Sequence, residues 1–252
     1  MRGWTKFLVA AVVVCAALYG VGLWLWDLNY PSCQIRYRLT VAVDADGARR
    51  VGSGVVEADY WLHPQFPESG PVGISFTGYA ITIDLGEKGL LFVLDRPSQT
   101  REAGQDYQAN KVLRSTTLGD LPRAVFDHGE HERVATSESG AESFRLYCHA
   151  LREYESAREV RVPDALLPLF VRFWDQNDRG TLQEVNPERL DEIYGPGLSL
   201  NSVTLQIVDD PISPMPTTWP KWISDTATSR DWEKRGWHSV IGDVYISEFV
   251  AD

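Results

Sequence analysis

An α+β domain of antiparallel β-hairpins covered by one or two helices, preceded by one N-terminal transmembrane helix, is the fold class this sequence predicts. Three observations carry it: a charge-free apolar run from Phe7 to Trp26, period-two alternation interrupted by turn residues, and later stretches with helical spacing. At 252 residues the chain divides into a tip (1–6), an anchor (7–26), a linker (27–33), an exported domain (34–208) and a Pro/Trp-rich tail (209–252).

The apolar run holds about twenty residues, enough at helical rise to cross a hydrocarbon core roughly 30 Å thick. Arg2 and Lys6 precede it and Asp27 closes it, so the positive-inside rule keeps the N-terminus cytoplasmic and exports the rest. Trp4, Trp24 and Trp26 fall where indole rings prefer the membrane interface. A cleaved signal peptide is the competing reading; its apolar region would be about 7 to 15 residues, and here the run continues through Leu25. A lipoprotein signal is disfavoured because Cys15 follows three valines, and a buried core helix because charges stand only at the run's ends.

Ile35, Tyr37, Leu39, Val41 and Val43 alternate with Gln34, Arg36, Arg38, Thr40 and Ala42, so this strand has one buried and one wet face. Asp44 to Gly47 supplies turn chemistry, and Val51 to Trp61 is the returning strand. Gly52-Ser53-Gly54 marks a bulge or a close backbone approach. A short strand is expected at Val72 to Phe76. A second hairpin follows: Tyr79 to Leu85, a turn at Gly86 to Gly89, then Leu90 to Leu94. Its second arm is apolar throughout, so both its faces must be covered.

Phe144, Tyr147, Leu151 and Tyr154 follow helical spacing, and the helix over 141–155 is the expected cover for that hairpin. A shorter helix is expected around Leu118 to Phe126. Leu169 to Trp174 reads as a strand, with Trp61 and Trp174 as core residues ending their strands. Asn186-Pro187-Glu188 has the order of a helix start, and Gly195-Pro196 of a stop. Leu198 to Ile207 is the last well-marked strand, its phase shifted by a bulge near Asn201-Ser202. Val240 to Val250 can return as an edge strand.

Several of these segments resemble a set of uncharacterised bacterial proteins with a lone N-terminal apolar segment. The resemblance lies in Leu167 to Phe173, Asp175 to Asp178, Val185 to Pro187, Tyr194 to Gly197, Leu205 to Pro211, and the opening Tyr37 to Val41 with Gly52 to Glu57. It spans about a third of the chain, and its motifs are strands, a capped helix and Gly-Pro turns. It implies a bacterial origin and no activity.

The net charge is −11, and such a surface repels phosphate backbones, which argues against nucleic-acid binding. With Cys15 inside the anchor, Cys33 and Cys148 are the two thiols of the exported part. Export to an oxidising space favours a bridge between them; two unpaired cysteines are the alternative.

His128-Gly129-Glu130-His131-Glu132 has ligand types that suit zinc, with His128, Glu130 and His131 as the metal candidates. The segment lacks helical periodicity and no further ligand cluster completes the coordination, so a solvated acidic loop is preferred. Asp175-x-Asn177 opens like a calcium loop, but Asn186 stands where a bidentate Glu belongs, and an Asx turn accounts for it. Gly73 to Gly78 misses a nucleophile elbow, Thr77 occupying a required glycine position, and no phosphate-cradling glycine pattern occurs. No cofactor is expected.

Of nine tryptophans, Trp219, Trp222, Trp232 and Trp237 lie in the tail, where aromatic surface either packs on the domain or grips a ligand or partner, with Trp219, Trp222 and Trp232 as the candidates for that surface. Two functions remain. The preferred one is a non-enzymatic, single-pass, inner-membrane-tethered domain that binds a protein or envelope component in the periplasm or outside. The other is a hydrolase of an envelope polymer, metal-assisted through His128, Glu130 and His131.

Overall fold

Arg2–Asn29 forms one helix, α1, in the computed structural model, which describes residues 2–64, 72–97, 121–126, 140–153, 158–178, 181–223 and 250–251. Val12–Asn29 is long and apolar enough to cross a membrane, and none of it is buried in the protein. That rules out a core helix. Only Tyr30 and Pro31 separate α1 from β1 (Ser32–Ala45). The junction is further tied by Arg145, which donates to the carbonyl oxygens of Leu28 at 2.7 Å and Asp27 at 3.3 Å. These are C-terminal helix carbonyls with no intrahelical donor, and a cation suits that end of the dipole.

β1 runs antiparallel to β2 (Ala48–Leu62) in unbroken register from Ser32↔Trp61 to Ala45↔Ala48. The turn between them has Asp46 at φ 51° and Gly47 at φ 81°, the double positive φ that matches strand twist in a two-residue hairpin. β3 (Val72–Tyr79) then pairs with β2, and the chain breaks at Ala80 before β4 (Ile81–Asp84). The stretch expected as one arm, Tyr79 to Leu85, is therefore split between two sheets. β4 pairs with β5 (Leu90–Pro97), and β5 with β7 (Pro168–Phe173), which pairs with β8 (Leu182–Val185). The second sheet is thus β4-β5-β7-β8.

The first sheet is completed by β6 (Val160–Arg161), β9 (Leu198–Ile207) and β10 (Val250–Ala251), in the order β10-β3-β2-β1-β9-β6. Ala42 faces Ser202 and Val43 faces Leu200, so Asn201 is the extra residue of the expected bulge. Among the described residues the domain also holds the helices α2 (Leu121–Phe126), α3 (Gly140–Glu153) and α4 (Leu190–Tyr194). Asn186 caps the 3-10 turn that leads into α4, its Oδ1 accepting from Glu188 N at 2.9 Å with Pro187 behind it.

The two sheets pack face to face. Ile35, Tyr37, Leu39, Val41 and Val43 of β1 share one core with Ile81, Ile83, Leu91, Val93, Phe170 and Val185 of the second sheet. Glycine makes the approach possible. A Cβ at Gly52 would overlap the Thr82 carbonyl oxygen and lie 2.8 Å from Ile83 Cγ1, so β4 crosses β2 where β2 has no side chain. The register there is unbroken, so of the two expectations it is close approach and not a bulge. Gly52→Ala is expected to cost about 1–3 kcal/mol by overpacking. Gly54→Ala costs less, because its Cβ meets the movable Ile81 Cδ1 first. Urea midpoints of the two variants, read side by side, check the order.

The helix over 140–153 does not cover the β4–β5 hairpin. Phe144, Tyr147, Cys148 and Leu151 of α3 enter the first core, Tyr147 edge-on to Tyr60 of β2, so α3 packs on β1 and β2. What lies over the outer face of the second sheet is the segment after β9. Leu90, Phe92 and Leu94 alternate with the inward residues of β5 and form a second core with Leu169, Val171, Phe173, Trp219 and Ile223. Prolines 211, 214, 216 and 220 prevent a ladder, yet the segment is tied down. Ser213 N donates to Val55 O at 2.9 Å and Ser213 Oγ accepts from Val55 N at 2.8 Å, satisfying β2 where β3 no longer reaches it.

Candidate functional site

The two thiols that lie beyond α1 are joined: the Cys33–Cys148 sulfurs are 2.09 Å apart, linking the start of β1 to α3. His128, Glu130, His131 and Trp232 lie outside the described residues. Among the described residues, no group of three His, Cys, Asp or Glu is placed to hold a metal ion. Asp175 Oδ1 accepts from Asn177 N at 2.8 Å, so the calcium-like segment is an Asx turn.

The tail tryptophans that are described face inward. Trp219 is buried, edge-on to Tyr79 and Phe92, and its Nε1 donates to Thr82 Oγ1 at 2.7 Å. Trp222 is half-buried against Phe173, and its Nε1 donates to the Gln176 carbonyl oxygen at 2.7 Å. Their rings close the second core, so of the two alternatives for the tail aromatics these two pack on the domain. The reverse correction holds elsewhere. Trp61 and Trp174, expected in the core, are 38% and 66% exposed.

Polar groups gather at two places. One is the outward face of the first sheet, where Arg36 faces Glu57 and Gln34 faces Asp59 across the ladder. Glu57 is buried and accepts from Arg36 Nε at 2.6 Å and Gln34 Nε2 at 2.7 Å. Burial raises the Asp59 pKa above its ordinary 3.8; the Gln34 hydrogen bond opposes this and the Glu57 charge adds to it. A raised folded value favours the protonated carboxyl, so this stabilisation is full below 3.8 and is lost as pH rises through the folded value. Asp59→Asn should therefore raise the melting temperature at neutral pH, with the gain shrinking to nothing on acidification. A constant gain at every pH would reject the linkage.

The second place is the end of the sandwich remote from α1. The Asp46-Gly47, Gly86–Gly89 and Trp174–Thr181 turns meet there. Lys88 Nζ lies 3.1 Å from Asp46 Oδ1, Asp46 N donates to Gly197 O at 2.9 Å, and a Cβ at Gly89 would touch Gln176. Arg172, near the end of β7, points to the same side as Phe170 and is only 5% exposed. Its Nη1 donates to the Ile193 carbonyl oxygen of α4 at 3.1 Å. Its guanidinium carbon lies 3.2 Å from the Trp174 ring centre and 4.8 Å from that of Tyr194. Cation–π attraction to the two rings replaces part of the lost hydration.

That replacement is incomplete. Among the described residues the buried Arg172 Nε and Nη2 have no acceptor, and the buried Oε1 of Gln183, directly opposite on β8, has no donor. A buried polar group left unpaired costs about 1–3 kcal/mol, and more for a charged one. Burial accordingly lowers the Arg172 pKa, with Tyr194 opposing, while it pushes the Tyr194 phenol up. Tyr194 thus remains a neutral donor, its hydroxyl 3.2 Å from Leu90 O. The sequence did carry a signal for this site: Arg172 is the one charge inside an apolar run that continues through Trp174. What the arrangement can do is bind an acceptor through a rigid, dry cation beside an exposed indole.

No family model, curated protein or solved structure matches this chain.

Proposed function

We propose that the chain is a membrane-tethered interaction module of the bacterial cell envelope, with its N-terminus cytoplasmic and its domain exported. The observation that carries this reading is polarity of form. An apolar helix whose stretch Val12–Asn29 is nowhere buried stands at one end of the sandwich, and an exposed indole over a buried, under-bonded cation stands at the other. Arg2 and Lys6 before the helix support cytoplasmic placement of the N-terminus, and a cysteine pair in the domain suits an oxidising compartment. The partner is a protein or another envelope component, met at the remote end.

Two measurements test it. A reporter active only in the cytosol, fused behind Asp252, should stay silent; activity there defeats the export. A photo-crosslinking residue at position 174 should give discrete adducts in cells, and one at position 146, exposed on α3, should not. The same pattern from both positions, or none from either, would remove the remote end as the partner face.

A further inference from the structure

We infer that the Arg172 guanidinium receives a carboxylate of the partner, specifically one that carries a neighbouring N–H, as the C-terminus of a peptide does. This rests on the reading of the remote end as a partner face, and it names the group recognised there.

The argument starts from which nitrogens are engaged. Nη1 is held by the Ile193 carbonyl oxygen, which fixes the plane of the guanidinium. The nitrogens without acceptors are Nε and Nη2, and these present adjacent, near-parallel N–H groups. Such a side-on fork fits the two oxygens of one carboxylate. Trp174 and Tyr194 crowd the guanidinium, their ring centres 3.2 and 4.8 Å from its central carbon. A planar carboxylate suits so confined a place better than a tetrahedral phosphate. Among the described residues no carboxylate forms an ion pair with Arg172.

Gln183 narrows the ligand further. It pairs with Arg172 across the β7–β8 ladder, and its buried Oε1 needs a donor. An acylated amino acid brings both complements at once, oxygens for the fork and an amide N–H for Gln183. Access runs past Trp174. The residue is 66% exposed and its ring stacks on Arg172, so the guanidinium lies directly beneath a solvent-facing side chain.

The test uses the full chain in detergent micelles and follows the indole N–H resonance of Trp174, assigned by its disappearance in Trp174→Phe. N-acetylglycine should shift it saturably, acetate more weakly, and N-acetylglycinamide not at all. Arg172→Lys, which keeps the charge and loses the fork, should weaken the N-acetylglycine response about tenfold or more. A linear, unsaturated response to the acid, or an equal response to acid and amide, would overturn the inference. So would saturation by inorganic phosphate with none by N-acetylglycine, which would assign the site to phosphate. The acid-against-amide comparison is made on the unaltered chain, so it stands even if the lysine variant does not fold. Crosslinks at 174 without a carboxylate response would defeat this inference alone, whereas their absence would defeat the partner-face reading.

Discussion

Replacing Cys33 and Cys148 by serine lowers the stability of the two-sheet domain by about 4 to 5 kcal/mol in the chain-entropy account, because the bridge closes a loop with a sequence separation of 115 residues. The position of the bridge adds to the effect. Cys33 sits at the start of β1, one residue after the strand leaves the helix junction, and Cys148 sits on the buried face of α3. Without the link, α3 retains Phe144, Tyr147 and Leu151 against the core and Arg145 on the α1 carbonyls, so the fold survives with a weaker hold at that corner. Denaturant unfolding of the unaltered chain with and without reductant, beside the double serine variant, measures the loss. Equal midpoints in all three would show that the bridge carries no stability. A change in slope as well as midpoint would place part of the effect in the unfolded chain, which the bridge keeps compact.

Trp219→Ala is the second large effect, about 3–5 kcal/mol, since it removes a buried aromatic side chain and leaves a cavity over the second sheet. Trp219→Phe separates the contributions. It keeps a ring against Tyr79 and Phe92 but loses the bond to Thr82 Oγ1, worth about 1 kcal/mol. Trp222→Ala should cost less than Trp219→Ala, because Trp222 is only half-buried. Thermal melts of the three variants give the ranking; a silent Trp219→Ala would mean that the segment after β9 is not part of the fold's second core.

These two effects also mark where sequence reasoning reached and where it stopped. The β1–β2 hairpin was legible because alternation, Asp46-Gly47 and the returning strand are all local signals, and the observed register follows from them without a break. The bulge at Asn201 and the cap at Asn186 were legible for the same reason. The need for cover over Leu90 to Leu94 was also readable, because a strand with no polar face cannot stand against water. What covers it was not. Regular periodicity pointed to the helix over 141–155 and not to the proline-rich tail. The disposition was decided by where the cysteine bridge and the first core hold α3, which leaves the outer face of the second sheet to a segment whose prolines preclude a ladder but whose tryptophans fill space.

The candidate site was less visible still. Trp174 closes a run of apolar residues and reads as core, yet it stands beyond the last rung of the β7–β8 ladder, where no opposing layer remains to bury it. Arg172 was not singled out within its strand, and it is buried where α4 folds back over that end of the sheet and supplies Ile193 and Tyr194. Both assignments depend on residues about twenty positions away, and no window of local periodicity contains that information.

Taken alone, the sequence determined the apolar helix, the antiparallel hairpins, their turns and the faces that had to be buried, because each is a matter of spacing along one stretch of chain. The tertiary structure decided which segment meets which face: Gly52 under Thr82, α3 beneath β1 and β2, Trp219 over Phe92, and Arg172 enclosed beside Trp174. The reason is physical. Hydrophobic burial is non-directional, so the pattern states that a face must be covered, while shape, chain connectivity and the bridge select the partner that covers it.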